Sequence, residues 1–83
     1  MNIIKHPLST EKSLRLMESE NKLIFVVDEH ASKAQIKAAI EEQFKAKVVA
    51  VNTYNSVKGQ KRAFITFGKE TPAIDIATNL GMM

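Results

Sequence analysis

A chain of 83 residues with 45% apolar and 25% charged side chains is sized for one thin-cored domain over residues 1–83; neither wholesale disorder nor a second domain is expected. The absence of cysteine excludes a disulfide framework and a thiolate metal site and fits a reducing, cytoplasmic setting. A net charge of +3 does not by itself announce a polyanionic partner, but the charge is sided: residues 48–69 carry Lys58, Lys61, Arg62 and Lys69 with no acid, whereas residues 18–29 carry Glu18, Glu20, Asp28 and Glu29 against Lys22 alone.

Ile3 and Ile4 read as a short edge strand ahead of Pro7. Ser9 or Thr10 then caps a short helix, with Glu11 in its first turn, where negative charge suits the dipole, and Leu14 and Met17 on one face. Lys22 to Val27, KLIFVV, is β-branched and aromatic without alternation, which predicts a strand covered on both faces in the middle of a sheet. Its stretch Leu23 to Val27 is the longest apolar run and far short of the ~20 residues of a membrane helix, so no membrane insertion is expected. Met1 to Pro7 likewise lacks the apolar stretch of a signal peptide.

Ser32-Lys33-Ala34-Gln35 is a capping box, and Ile36, Ile40 and Phe44 recur every fourth residue, predicting a helix to about Lys45. Val48 to Ser56 alternates as a strand, Gly59 marks a tight turn and Arg62 to Phe67 supplies a second strand, so the pair reads as a hairpin. Thr71 before Pro72 predicts a cap with proline at the first helical position, and Ala73, Ile76, Ala77 and Leu80 share a face before Gly81 ends the helix. This order predicts an α+β fold. It is a split β-α-β sandwich with a mainly antiparallel sheet of three to four strands, packed helices, and the last strand inserted beside Leu23 to Val27.

A search for a nucleophile with a base, a paired acid and base, or a metal cluster finds none, so no enzyme activity, metal or cofactor is expected. His6 and His30 lie in separate segments, and Asp28, Glu29 and His30 read as a solvated loop in preference to a loose cation site. The three glycines, Gly59, Gly68 and Gly81, form no phosphate cradle, which weighs against an acylphosphatase-like phosphohydrolase and against a small-ligand sensor, the rival classes for such a fold.

Several cation groups suit a polyanion. Lys58-Gly59-Gln60-Lys61-Arg62 sets three cations at a hairpin tip, where long side chains reach phosphates; a solubilising, edge-protecting turn has the same composition. Lys33 and Lys37 lie one turn apart beside the apolar stripe of the crossover helix, a position that surface snorkelling also explains. Lys5, His6, Lys12 and Arg15 surround the first helix, whose amino end offers free N–H groups. Asn52 and Thr53, with Tyr54 and Asn55, make a polar strand centre suited to sugar or base edges, although a wet sheet face has the same character.

Taken in order, His6-Pro7-Leu8-Ser9-Thr10-Glu11-Lys12-Ser13, Asn21 to Val27, Ala31-Ser32-Lys33-Ala34-Gln35-Ile36-Lys37 and Val51-Asn52-Thr53, followed by Asp75-Ile76-Ala77 and Leu80-Gly81, resemble the universal large-subunit ribosomal protein twenty-three family over nearly the whole chain. The resemblance implies a primary binder of large-subunit rRNA at the polypeptide exit tunnel, among neighbouring ribosomal proteins. It also implies a docking surface for signal recognition particle and the protein-conducting channel. The acidic position of the family's S/T-E-K motif falls on Glu11, the implied docking residue. Bacterial members usually carry a long basic insertion between the last two strands. Here only Lys58 to Lys61 joins them, so the chain is identified with the archaeal or eukaryotic type, and neither lining of the tunnel wall nor trigger-factor docking is expected. The runner-up is a free-standing RNA-binding module of similar fold.

Overall fold

The structure is a computed structural model and describes residues 3–56 and 59–81. Its elements are β1 (Ile4–Pro7), α1 (Glu11–Glu20), β2 (Lys22–Val27), α2 (Lys33–Phe44), β3 (Val48–Asn55), β4 (Lys61–Phe67) and α3 (Ala73–Asn79). The four strands form one sheet in the order β1-β2-β4-β3, and every neighbouring pair is antiparallel. The expected α+β split arrangement is therefore present, with β4 inserted beside β2 and the sheet at the upper expected count of four.

The pleat explains how the sheet divides its residues. Leu23, Phe25 and Val27 of β2 and Ala63, Ile65 and Phe67 of β4 alternate onto one face and bury there with Met17 of α1, Ile36 and Ile40 of α2, and Ala73, Ile76 and Ala77 of α3. All three helices thus contribute to one core on one side of the sheet. As expected, β2 lies inside the sheet and is buried on both faces from Leu23 to Val27. Ile24 and Val26 are also buried, at 3% exposure each, but lie outside that core. Their strand neighbours Phe64 and Arg62, directly across in register, provide lateral cover where no helix does.

Local chemistry sets the helix ends. Thr10 Oγ1 accepts from Ser13 N at 3.2 Å while Ser13 Oγ accepts from Thr10 N at 2.8 Å, a reciprocal cap that starts α1 at Thr10 and leaves Ser9 outside it. Ser32 and Gln35 repeat the device at α2 as expected, with Ser32 Oγ accepting from Gln35 N at 3.2 Å and Gln35 Oε1 accepting from Ser32 N at 2.9 Å. The predicted cap of α3 is corrected. Pro72 holds the N-cap position without a side-chain bond, and Thr71 Oγ1 accepts instead from Lys47 N at 3.3 Å. The first free amide of α3, Ala73 N, donates to Asn21 Oδ1 at 2.6 Å, from the far end of α1. β3 ends at Asn55, one residue before the predicted Ser56, and β4 begins at Lys61, one before Arg62.

Candidate nucleic-acid interface

The hairpin does not present its cations as one cluster. Lys58 lies outside the described residues. Gly59 is exposed at the turn with φ +78°, a conformation that favours glycine, and its amide donates to Ser56 O at 3.0 Å. Lys61 points to the helical side, where its Nζ donates to Ala31 O at 2.6 Å just ahead of α2. Arg62, one residue on, lies on the opposite face of the sheet, where Nη1 donates to Tyr54 Oη at 3.4 Å and Nη2 to Gln60 Oε1 at 3.3 Å. Its Nε is buried without a hydrogen-bond partner. Successive residues of a strand face opposite ways, so Lys61 stitches the fold while Arg62 joins the open sheet.

The same rule separates Asn52 from Thr53. Asn52 pairs across from Phe64 and Tyr54 from Arg62, on the open face, whereas Thr53 pairs across from core Ala63. Asn52 and Tyr54 are exposed and Thr53 is half-buried. The rings of Tyr54 and Phe64 meet at 5.2 Å between centroids, tilted by 60°. From sequence, Tyr54 enters only as part of the polar strand centre and Phe64 has no site role, although the signal for its face is present. Counting by twos along β4 puts Ala63, Ile65 and Phe67 on one face and leaves Phe64 on the other.

On the other side of β2, His6 pairs across from Val26, and Lys5 occupies an irregularity in the pairing between Ile4 and His6. Lys5, His6, Gly59 and Lys61 meet around a cleft of about 240 Å³ with Glu29 on its wall. Farther away, Lys12 and Arg15 are exposed on α1, and Arg15 Nη2 donates to Glu11 Oε1 at 3.0 Å, one helical turn back. The residue expected to dock factors and one expected to contact RNA are thus ion-paired, with side chains 82% and 77% exposed. Lys33 and Lys37 are exposed on α2, flanking buried Ile36 as expected. In the loop after β2, Asp28 Oδ1 accepts from His30 N at 2.8 Å and Glu29 stands 3.5 Å from the His30 ring. Among the described residues, no three His, Cys, Asp or Glu side chains gather as metal ligands, and no helix is long and apolar enough to cross a membrane.

A helical layer on one face of an antiparallel sheet, with cations and aromatics on the uncovered face, defines a small α+β domain of the split β-α-β class. The family model described as ribosomal protein L23 matches residues 2–76. The chain belongs to the ribosomal protein L23 family, a family of structural, non-enzymatic proteins. It is 44% identical to the large ribosomal subunit protein uL23 of Methanococcus maripaludis strain C7 over 98% of its own length and 94% of that protein. A uL23 of Tetrahymena thermophila is 37% identical over 99% of this chain and 55% of the longer relative. Likeness to archaeal and eukaryotic members agrees with the short hairpin connection.

Proposed function

We propose that this chain is a structural constituent of the large ribosomal subunit in the cytoplasm, acting as a single domain over residues 1–83. It binds large-subunit rRNA near the polypeptide exit tunnel, beside neighbouring ribosomal proteins. The observation that carries this proposal is near full-length similarity to proteins named as large-subunit components. Physical support comes from exposed Lys5, His6, Lys12, Lys33 and Lys37, which lie on strand and helix surfaces where phosphates can reach them. Arg62 adds a cation on the open sheet, and Lys61 contributes from the cleft.

Glu11 marks a docking edge for factors that meet nascent chains, among them signal recognition particle and the protein-conducting channel. The supporting feature is its exposed carboxylate at the start of α1. Two experiments test these roles. In electrophoretic titrations of the full chain against large-subunit rRNA fragments, neutralising Lys58, Lys61 and Arg62 together lowers affinity and flattens the dependence on salt; an unchanged affinity and slope rejects the rRNA role of the hairpin. Glu11→Lys weakens binding of signal recognition particle to ribosomes while the protein stays in the subunit, and undiminished binding rejects the docking role.

A further inference from the structure

We infer that the open sheet face is a stacking site for an unpaired RNA nucleotide, built on Tyr54 and Phe64 and flanked by Asn52 and Arg62. This site presupposes RNA as the ligand class proposed above and gives the interface a specific chemistry. Four observations converge on it. Tyr54 is 41% exposed on a strand surface, although an aromatic ring is costly to leave wet. Phe64 lies against it at 5.2 Å between centroids and a tilt of 60°, so the tyrosine ring has an aromatic neighbour on the same sheet face while remaining exposed. Asn52, across from Phe64 in register, is exposed and carries both a donor and an acceptor for a base edge.

Arg62 supplies the fourth. Its side chain is half-buried, its two hydrogen bonds are long at 3.3 and 3.4 Å and go to neutral oxygens, and its Nε has no partner. The ion pairs among the described residues are Glu11 with Arg15, Glu20 with Lys22, Glu29 with His30 and Glu70 with Lys47, so none neutralises Arg62. A guanidinium held beside an exposed ring, paired with no carboxylate and with Nη hydrogens to spare, suits a nucleotide phosphate; the buried Nε takes no part. Aromatic face, amide edge and unpaired cation match base, base edge and phosphate respectively. A paired duplex hides its base faces and could use only the cation.

Tyr54 is the single tyrosine of a chain without tryptophan, so its emission reports on this face alone. Titrating the full chain with the tightest-binding large-subunit rRNA fragment should quench that emission. Tyr54→Leu, which keeps an apolar side chain but removes the ring, should weaken affinity about tenfold while leaving the salt dependence unchanged. Arg62→Gln should instead reduce the salt slope by about one. If the fragment binds with no quenching and Tyr54→Leu stays within about twofold of the parent, stacking is wrong while rRNA binding stands. If no fragment binds the parent chain, the rRNA proposal fails and the stacking site falls with it. A face that remains bright with RNA and darkens only when a neighbouring ribosomal protein is added belongs to that protein, which also overturns the assignment.

Discussion

Asn21 shows how much one polar residue holds together. It closes α1 in the left-handed region at φ 57°, a conformation that asparagine tolerates better than most residues. Its Nδ2 lies 3.0, 3.1 and 3.2 Å from the carbonyls of Phe67, Gly68 and Thr71, so two hydrogens serve three acceptors. With Oδ1 capping α3, a single side chain ties together the ends of α1, β4 and α3. Asn21→Gly keeps the backbone conformation but removes the bonds and should cost roughly 2 kcal/mol; Asn21→Ala should cost about 1 kcal/mol more for the strained φ. Urea denaturation of both variants measures the difference, and equal midpoints would show that backbone conformation contributes nothing. Lys61 makes the complementary case. Its bond to Ala31 O means that Lys61→Met should lower stability by about 1 kcal/mol while flattening the RNA salt slope less than Arg62→Gln does.

At the scale of elements, most boundaries follow from short-range chemistry. The Ser32 to Gln35 box is complete within four residues, so its geometry was legible before any tertiary contact was known. Ser32→Ala should cost about 1 kcal/mol, read as a shift of the urea midpoint without a change in slope; no shift would mean that packing of Ile36 and Ile40 alone holds the helix. The start of α3 behaved differently. Thr71 and Pro72 have the composition of a cap, but the acceptor that meets Ala73 N comes from 52 residues away. No local pattern encodes that bond. β2 meets the same limit in part, since its unbroken apolar run encodes that both faces are dry without encoding what dries them.

For the whole molecule, one-sided helical cover leaves a sheet face on which Tyr54 and Asn52 are exposed. Unfolding a domain of this size carries a small entropy change, so the stability added by a ligand that binds only the folded chain moves its melting temperature far. With free rRNA fragment at about a hundred times Kd, the melting temperature should rise by roughly 10–20 °C. Differential scanning calorimetry of the complex checks this, and an unmoved transition would mean that RNA does not select the folded state.

The linear sequence by itself determined the element order, the strand that carries the core, two helix caps and the family, because apolar periodicity, capping boxes and collinear motifs are local properties. Tertiary structure decided which neighbours on the chain act together. Lys61 and Arg62 are adjacent in sequence, and so are Asn52 and Thr53, but the two-residue repeat of a strand sends each pair to opposite faces. The same repeat, combined with the register of β3 on β4, brings Tyr54 against Phe64 and Arg62. Which face remains open then depends on where three helices pack, a global outcome of burying one apolar surface that no window of neighbouring residues contains.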